Sequence, residues 1–247
     1  QQIVNGISNI LAFLPVSFTY ANNFGGGNFR FAQVTTVDYN NGKGPQIPGG
    51  SNQSAEGNPP DPSFVPDYAQ GDMWFSKEKY TTPVIGNFQY SAGLLHEFGH
   101  ALGLKHGHIT QDSHGVTFPA LPADHDSQEY SVMTYHRYVG QPDTSGDLNS
   151  DYPWTYMQDD IAALQYMYGA NFTANATNTT YKFNPTTGTL TISDPSGAFD
   201  FGPPFHSKIF LTIWDGGGVD TYDFSNYNEN QVVNLAPGAW SSFSKNQ

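Results

Sequence analysis

The sequence predicts an α+β fold in two parts, and three observations support this prediction. Two stretches, 88–103 and 158–169, have the composition and apolar spacing of helices. Before the first of them, short runs alternate apolar and polar residues as strands do. From Thr179 onwards, strand-like runs are separated by Gly, Pro and Asn. We therefore expect an α+β domain over residues 1–178 and a β-rich domain over residues 179–247.

The sequence of the N-terminal part predicts one helix followed by strands. Residues 1–13 repeat apolar side chains at helical spacing, and Pro15 ends that helix. The runs 16–21 and 28–36 alternate like strands, and 72–76 has the composition of a buried strand. No cap residue precedes the first helix, so we expect the chain to lack residues before Gln1.

Residues 38–70 are dense in Gly, Pro, Asn and Ser. This composition builds little regular structure and favours a long surface loop.

The helix predicted over 88–103 presents an apolar face that is expected to pack in the core. That face consists of Leu94, Leu95, Phe98, Ala101 and Leu102.

The polar side of this helix has the spacing of a metal site. His96 and His100 are four residues apart and therefore lie one turn above each other on one face. Glu97 is rotated from His96 by about 100°, which places it beside a metal rather than on it. Gly103 ends helices readily, and a turn there lets His106 return to the same point.

Three imidazoles and one water form the open site of a catalytic zinc ion. A structural zinc site would use four protein ligands, usually with cysteine, and the chain contains no cysteine. Glu97 is then placed to act as a base toward a water at the metal. The spacing H-E-x-x-H-x-x-G-x-x-H over 96–106 fixes five positions, which chance meets far less easily than H-E-x-x-H alone.

Other polar residues near this motif are alternative metal ligands. None shares a rigid element with His96 and His100, so we expect these side chains to be solvated: His108, Asp112, His114, Asp124, His125, Asp126 and Glu129. In the helix over 158–169, Asp159 or Asp160 is expected to cap the start and Gly169 the end.

The β-rich part contains strand-like runs and one possible calcium repeat. The runs lie at 189–193, 208–214, 221–225 and 231–236. Residues 215–223 approximate one G-G-x-G-x-D-x-U-x nonapeptide of the RTX β-roll, with aspartate replacing the first glycine. The expected calcium-binding residues are Asp215, Gly216, Gly218 and Asp220, while Tyr222 should point into the roll. A roll needs about three stacked repeats, so the remainder is expected beyond Gln247.

Together these motifs resemble the metzincin zinc peptidases. That family follows the histidine signature with a methionine turn, and SVMTY at 131–135 supplies one through Met133 and Tyr135. Combined with the strings at 159–171 and 213–225, the M-x-Y pattern is similar to the serralysins. The chain departs from the family at His136, where tryptophan is common, which leaves the outer wall of the cleft undefined.

The resemblance implies a zincin catalytic domain, a twisted mixed sheet with long helices, followed by the start of a parallel β-roll. It implies an antiparallel edge strand within 38–70, placed at Ser54–Asn58, that pairs with an extended substrate. It also implies a bacterial enzyme that leaves the cell by a C-terminal signal. No such signal is visible here, so the chain is expected to be a fragment.

The resemblance further implies a secreted zinc metalloendopeptidase. One zinc ion would be held by His96, His100 and His106, with Glu97 as the base. Tyr135 would be a further zinc ligand that moves off the metal to stabilise the oxyanion. Met133 would pack beneath the imidazoles, and Ca²⁺ ions would have a structural role.

Composition limits the partners. The chain of 247 residues has a formal net charge of -13 and only 9 Lys and Arg, too few for a phosphate-binding surface, so nucleic acid and anionic membranes are excluded as partners. No apolar run approaches the roughly 20 residues of a membrane span. The expected partners are polypeptide substrates and a proteinaceous inhibitor, and the expected state is a monomer.

Two other functions stay open from the sequence. A calcium-binding RTX module, an adhesin or scaffold, would explain the acidic, Gly-rich C-terminal segment but gives no reason for Glu97 beside three histidines. A zinc hydrolase of esters or small amides would use the same site. The long loop and edge strand favour extended polypeptide over a small molecule.

Overall fold

The computed structural model describes residues 10–19, 28–34, 55–61, 63, 70–141 and 152–244. They form a three-stranded sheet, a two-stranded hairpin, a four-stranded sheet and two helical regions. In chain order the elements are β1 (Arg30–Val34), β2 (Ala55–Gly57), β3 (Asp72–Ser76), a π-helix (Gln89–Leu95) continuing into α1 (His96–Ala101), β4 (Gln111–Ser113), β5 (Val116–Phe118), α2 (Gln158–Tyr168), β6 (Thr180–Phe183), β7 (Leu190–Asp194), β8 (Gly197–Asp200) and β9 (Thr221–Asp223).

The three-stranded sheet is mixed and has the order β1-β3-β2. β1 and β3 are parallel, with Arg30 opposite Asp72, whereas β2 and β3 are antiparallel, with Ala55 opposite Phe75. The Arg30 guanidinium donates to both oxygens of the buried Asp72 carboxylate, at 2.5 and 2.8 Å. This pair holds the beginnings of β1 and β3 together. The antiparallel strand predicted at Ser54–Asn58 is confirmed at Ala55–Gly57.

Two further strand predictions in this region are confirmed. The strand predicted at 72–76 is β3 with the same bounds, and the one predicted at 28–36 is β1 over its described part. The strand predicted at 16–21 is wrong over residues 16–19, where the structure has no strand. Phe18 instead packs its ring against Phe29 and Phe98, each at a centroid distance of 6.0 Å.

The first predicted helix and most of the predicted loop lie outside the described residues. Of the helix, only residues 10–13 are described, and they form a turn in which the Leu14 N–H donates to the Leu11 carbonyl at 2.9 Å. Leu11 and Leu14 are 1% exposed and belong to the main hydrophobic core.

The helix predicted over 88–103 is present, although its first part is a π-helix. It ends as expected, because Gly103 takes a left-handed conformation with φ of 101°. The predicted apolar face packs in the core, with Leu94 only partly buried. The resemblance implied long helices, but the described helical segments hold 7, 6 and 11 residues. No helix among the described residues has both the length and the apolar character needed to cross a membrane.

α2 is fixed at both ends as the sequence predicted. The carboxylate of Asp160 accepts a hydrogen bond from the Met157 N–H at 3.0 Å, which caps the helix start, and Gly169 ends the helix with φ of 88°. The same carboxylate accepts hydrogen bonds from Ser131 Oγ at 2.6 Å and the Val132 N–H at 2.8 Å. Asp160 therefore joins α2 to the 131–135 segment.

The four-stranded sheet has the order β8-β7-β6-β9, in which β6 and β9 are parallel and the other pairs antiparallel. Tyr181 and Phe183 on β6 are buried while Lys182 between them is exposed, the period of two expected of a strand. A second hydrophobic core forms on this side from Trp154, Tyr181, Phe183, Leu190 and Phe243.

Two of the four named strands in the β-rich part are confirmed. The run at 189–193 corresponds to β7 and the run at 221–225 to β9. No individual prediction covers β6 or β8.

The strands predicted at 208–214 and 231–236 are wrong. In the first run, the Phe210 carbonyl accepts from the Trp154 N–H at 2.8 Å, and the Thr212 N–H donates to Thr155 Oγ1 at 2.9 Å. Its apolar side chains pack against both cores, so alternation there reflects two-sided packing and not a sheet. The second run makes a single isolated bridge, from Val232 to Ser242.

A pH-dependent stability is predicted from Asp160. Burial raises its pKa from 3.8 to about 7, although hydrogen bonds from Ser131, Val132 and Met157 act in the opposite direction. Between these values the folded protein keeps a proton that the unfolded chain loses, so the free energy of unfolding falls as the pH rises. Relative to Asp160→Asn, wild type should lose at least about 1 kcal/mol between pH 4 and pH 7 in denaturant titrations of metal-free protein.

The matched control is Asp159→Asn, at the same helix start. It keeps the three hydrogen bonds to Asp160 and removes only the smaller of the two influences that raise the Asp160 pKa, so most of the pH dependence should remain. A constant difference between wild type and Asp160→Asn across this pH range would contradict the assignment.

Candidate metal centre

Three imidazoles converge at one point beside α1. Nε2 of His100 lies 3.2 Å from Nε2 of His96 and 3.2 Å from Nε2 of His106. Within the described part of the chain, these three side chains form the one group of three or more histidines and carboxylates whose ligand atoms all lie within 4.8 Å of one another. The structure therefore brings together the three residues predicted from the spacing. The alternative ligands near the motif form no such group among the described residues.

Backbone carbonyls orient two of the rings. Nδ1 of His96 lies 2.8 Å from the Val132 carbonyl, and Nδ1 of His100 lies 2.8 Å from the Leu104 carbonyl. A carbonyl only accepts, so Nδ1 carries the proton in each ring and Nε2 presents a lone pair to the common point. Sequence spacing gives no signal for these backbone partners, and reasoning from sequence missed them.

The environment keeps the imidazoles neutral, the form that binds a metal. Burial lowers the pKa of His96 well below its usual value, assisted by the neighbouring His100 and His106. Burial also lowers the pKa of His100, and it lowers the pKa of His106 to about 3 together with the neighbouring His100 and His108. This donor set fits a zinc ion, because three neutral nitrogens with oriented rings leave one tetrahedral position open.

Met133 packs against the helix that carries two of the histidines. A Cβ added to Gly99 would lie 2.5 Å from Met133 Sδ, so the sulfur touches the helix backbone between His96 and His100. The Met133 carbonyl accepts from the Gly107 N–H at 2.8 Å, next to His106. Met133 therefore supports both segments that carry the histidines.

Glu97 lies beside the three imidazoles and against the edge of the sheet. The Gly57 N–H of β2 donates to the Glu97 carboxylate, while burial and the nearby Glu56 charge raise the pKa of Glu97 to about 8. A Cβ added to Gly57 would lie 1.9 Å from the Glu97 carbonyl oxygen. Only glycine allows β2 to approach the helix this closely.

Tyr135, in the 131–135 segment, directs its phenol toward the point shared by the three imidazoles. Its phenol oxygen lies 2.9 Å from Nε2 of His106, and 56% of the residue is exposed. Burial of the phenol and the nearby Glu97 charge raise the pKa of Tyr135, so the phenol keeps its proton. Next along the chain, Nδ1 of His136 lies within hydrogen-bond distance of Asp126, 2.9 Å from Oδ2.

The residues predicted to bind calcium directly precede β9 in the chain. Because β9 and β6 are parallel, they lie beside the start of β6, and residues of that region form hydrogen bonds with them. The Asp215 carboxylate accepts from Tyr181 OH at 2.6 Å, and the Asp220 carboxylate accepts from the Thr179 N–H at 2.9 Å. A Cβ added to Gly216 or Gly218 would lie 2.4 Å from a backbone carbonyl oxygen, so both glycines are needed for close packing.

Tyr222, which was predicted to point into the roll, stacks on Tyr181 with ring centroids 5.2 Å apart. Its ring packs against the second hydrophobic core.

Known proteins share both parts of this chain. The family model "Peptidase M10 serralysin C terminal" matches residues 170–245. Serralysin C of Dickeya chrysanthemi is 34% identical over 175 residues, which cover 69% of this chain and 34% of that protein. Metallopeptidase AprA of Pseudomonas marginalis is 35% identical over 178 residues, 69% of this chain and 35% of that protein. The chain belongs to the serralysin-type M10 metalloproteases.

A third serralysin shows the same extent of similarity. Serralysin of Proteus mirabilis is 34% identical over 179 residues, 69% of this chain and 33% of that protein. The present serralysin-type chain thus spans about a third of the length of the curated relatives it matches.

For this serralysin-type chain, Gly57→Ala should destabilise the fold. The added methyl group overlaps the Glu97 carbonyl, so β2 must move away and Glu97 must lose the Gly57 N–H. We expect the free energy of unfolding to fall by about 1–3 kcal/mol in urea titrations followed by circular dichroism. Glu56→Ala is the control in the same strand, because it adds no atom toward the helix and should cost less. A Gly57→Ala variant as stable as wild type would disprove the close contact.

Proposed function

We propose that this chain carries the catalytic centre of a secreted bacterial zinc metalloendopeptidase, which hydrolyses peptide bonds of extracellular proteins. The observation that carries the proposal is the convergence of three histidine Nε2 atoms beside a carboxylate and a phenol. The names of the relatives, serralysin and metallopeptidase, support the same class of reaction.

The proposed zinc ligands are His96, His100 and His106. When bound, zinc supplies a Lewis acid that activates water at neutral pH. The positive charge of a bound zinc ion would lower the pKa of Glu97 from about 8, so that its carboxylate can take the proton from the attacking water and return it to the nitrogen of the leaving amine. The Gly57 N–H holds the Glu97 carboxylate in place for both transfers.

Tyr135 stabilises the oxyanion that forms when water adds to the scissile carbonyl. Its phenol keeps its proton because burial and the Glu97 charge raise its pKa, so it is a hydrogen-bond donor. In the structure the phenol oxygen is on the metal side, 2.9 Å from His106. To reach the oxyanion, the ring has to move off that position.

The position of β2 at the edge of its sheet supports extended polypeptides as the substrate class. Among the described residues this strand pairs only with β3, and its last residue donates to the Glu97 carboxylate. An extended polypeptide can add to such an edge by main-chain hydrogen bonds, which a small ester or amide does not need.

The proposal includes a division into two domains and a structural role for calcium. Residues 1–178 form the catalytic domain, and residues 179–247 begin a β-roll, which the match to the serralysin C-terminal model over 170–245 supports.

In the proposed calcium site, Asp215 and Asp220, with the carbonyls of Gly216 and Gly218, bind Ca²⁺. Burial raises the pKa of Tyr181, and both carboxylates lie close enough for their charges to raise it further, so two negative charges are near each other, as a calcium ion requires.

Glu97→Gln should retain zinc and lose hydrolysis. The three imidazoles are untouched, whereas the base is removed, so casein hydrolysis should fall by about 10²- to 10⁴-fold at unchanged zinc content. Zinc is measured by mass spectrometry on the same samples, and chelator-treated wild type is the inactive control.

Two results would contradict this proposal. Normal activity of Glu97→Gln would refute the role of Glu97. A zinc-loaded wild type without peptidase activity would favour the calcium-binding module instead.

Tyr135→Phe should reduce turnover less severely than Glu97→Gln. Removing one donor to the oxyanion costs roughly 100-fold in kcat, with little change in KM. The matched control is Tyr130→Phe in the same segment, whose ring stacks on His125 at 4.1 Å. The control should stay fully active, and unchanged kcat in Tyr135→Phe would exclude the oxyanion role.

A further inference from the structure

The side chains on both sides of Tyr135 are held by one acidic side chain. The Asp126 carboxylate accepts a short hydrogen bond from Thr134 Oγ1 and pairs with His136 Nδ1 at 2.9 Å. The His136 carbonyl also accepts from the Gln128 N–H at 2.7 Å. These contacts restrain the chain on both sides of Tyr135, whose ring can still turn about the side-chain bonds.

The ring of Tyr135 has a close aromatic neighbour on the metal side. Ring centroids of His108 and Tyr135 are 4.4 Å apart with an interplanar angle of 35°. This is the shortest ring distance that Tyr135 makes, since those to His106 and His96 are 4.9 and 5.7 Å. More than half of Tyr135 is exposed, and its other ring contacts are those with the imidazoles of His96 and His106 at the metal centre.

The loop that carries His108 is itself fixed. Lys105 Nζ donates to the carbonyls of His106 at 2.9 Å and Ile109 at 2.7 Å, which closes the loop on either side of His108. The Gly107 N–H donates to the Met133 carbonyl at 2.8 Å, which joins this loop to the segment bearing Tyr135. Both rings of the stack thus project from restrained backbones.

We propose that His108 is a positioning residue that holds the Tyr135 phenol against the metal centre. The inference rests on the proposed function, because His108 can hold Tyr135 in place only if Tyr135 moves between a metal-bound and a free position. The contact between the His108 and Tyr135 rings favours the metal-bound position, and the Tyr135 ring leaves His108 when it turns away. A contact of this kind shifts such an equilibrium by roughly 2- to 10-fold.

Copper(II) reports the position of the phenol directly. When copper(II) binds a tyrosine oxygen it displaces the phenol proton to solvent, and the resulting phenolate gives a visible charge-transfer band that an unbound phenol does not. Protein stripped of metal and loaded with one equivalent of copper sulfate should show this band in wild type, and Tyr135→Phe should lack it. In His108→Ala the ratio of bound to free tyrosine should fall by roughly 2- to 10-fold at equal copper content.

Two further variants separate positioning from general damage. His108→Phe keeps an aromatic face, so it should restore the wild-type band. His125→Ala removes an imidazole stacked on Tyr130, with centroids 4.1 Å apart, and should leave the copper band unchanged.

The outcomes distinguish this inference from the proposed function. A wild type that binds no copper overturns the metal centre and the inference with it. Copper bound with a full band in His108→Ala overturns the inference alone. Copper bound without a band in wild type, or a band lost equally in His108→Phe, also overturns it, because the aromatic face would then not hold the ring at the metal.

Discussion

The contact between His96 Nδ1 and the Val132 carbonyl connects the two halves of the candidate site. His96 lies on α1, whereas Val132 lies in the segment that also carries Met133 and Tyr135. Without this hydrogen bond the His96 ring would have no fixed orientation, and Nε2 would not be directed at the point shared with His100 and His106.

The position of that carbonyl depends in turn on α2. Asp160 accepts from Ser131 Oγ, from the Val132 N–H and from the Met157 N–H at the start of the helix. A buried carboxyl thus holds the 131–135 segment in register with α1. On the opposite side, Gly57 brings β2 onto Glu97. The site is assembled from a helix, a loop and a strand whose mutual contacts are short, which gives the preorganisation that the proposed reaction would require.

Local geometry explains why so much of this site could be predicted. Positions four apart on a helix share a face whatever the rest of the fold does, and Gly103 ends the helix by its own conformational freedom. The strand at Ala55–Gly57 was different. Its composition favours a loop, and only the resemblance to serralysins placed it.

The features that could not be predicted from the sequence depend on contacts between distant parts of the chain. The run 208–214 alternates like a strand, but its alternation serves two cores. The carbonyls of Val132 and Leu104 have no sequence signal, since every residue has one. His108 was expected to be solvated because it lies in a polar loop, yet the fold places its ring against that of Tyr135, 27 positions away.

The central claim is that three imidazoles bind one zinc ion and leave a position open for chemistry. X-ray absorption at the zinc edge of the zinc-loaded protein tests this most directly. We expect three imidazole nitrogens at about 2.0–2.1 Å, with the remaining positions filled by oxygen. Fewer than three imidazoles, or a fourth imidazole closing the coordination shell, would contradict it.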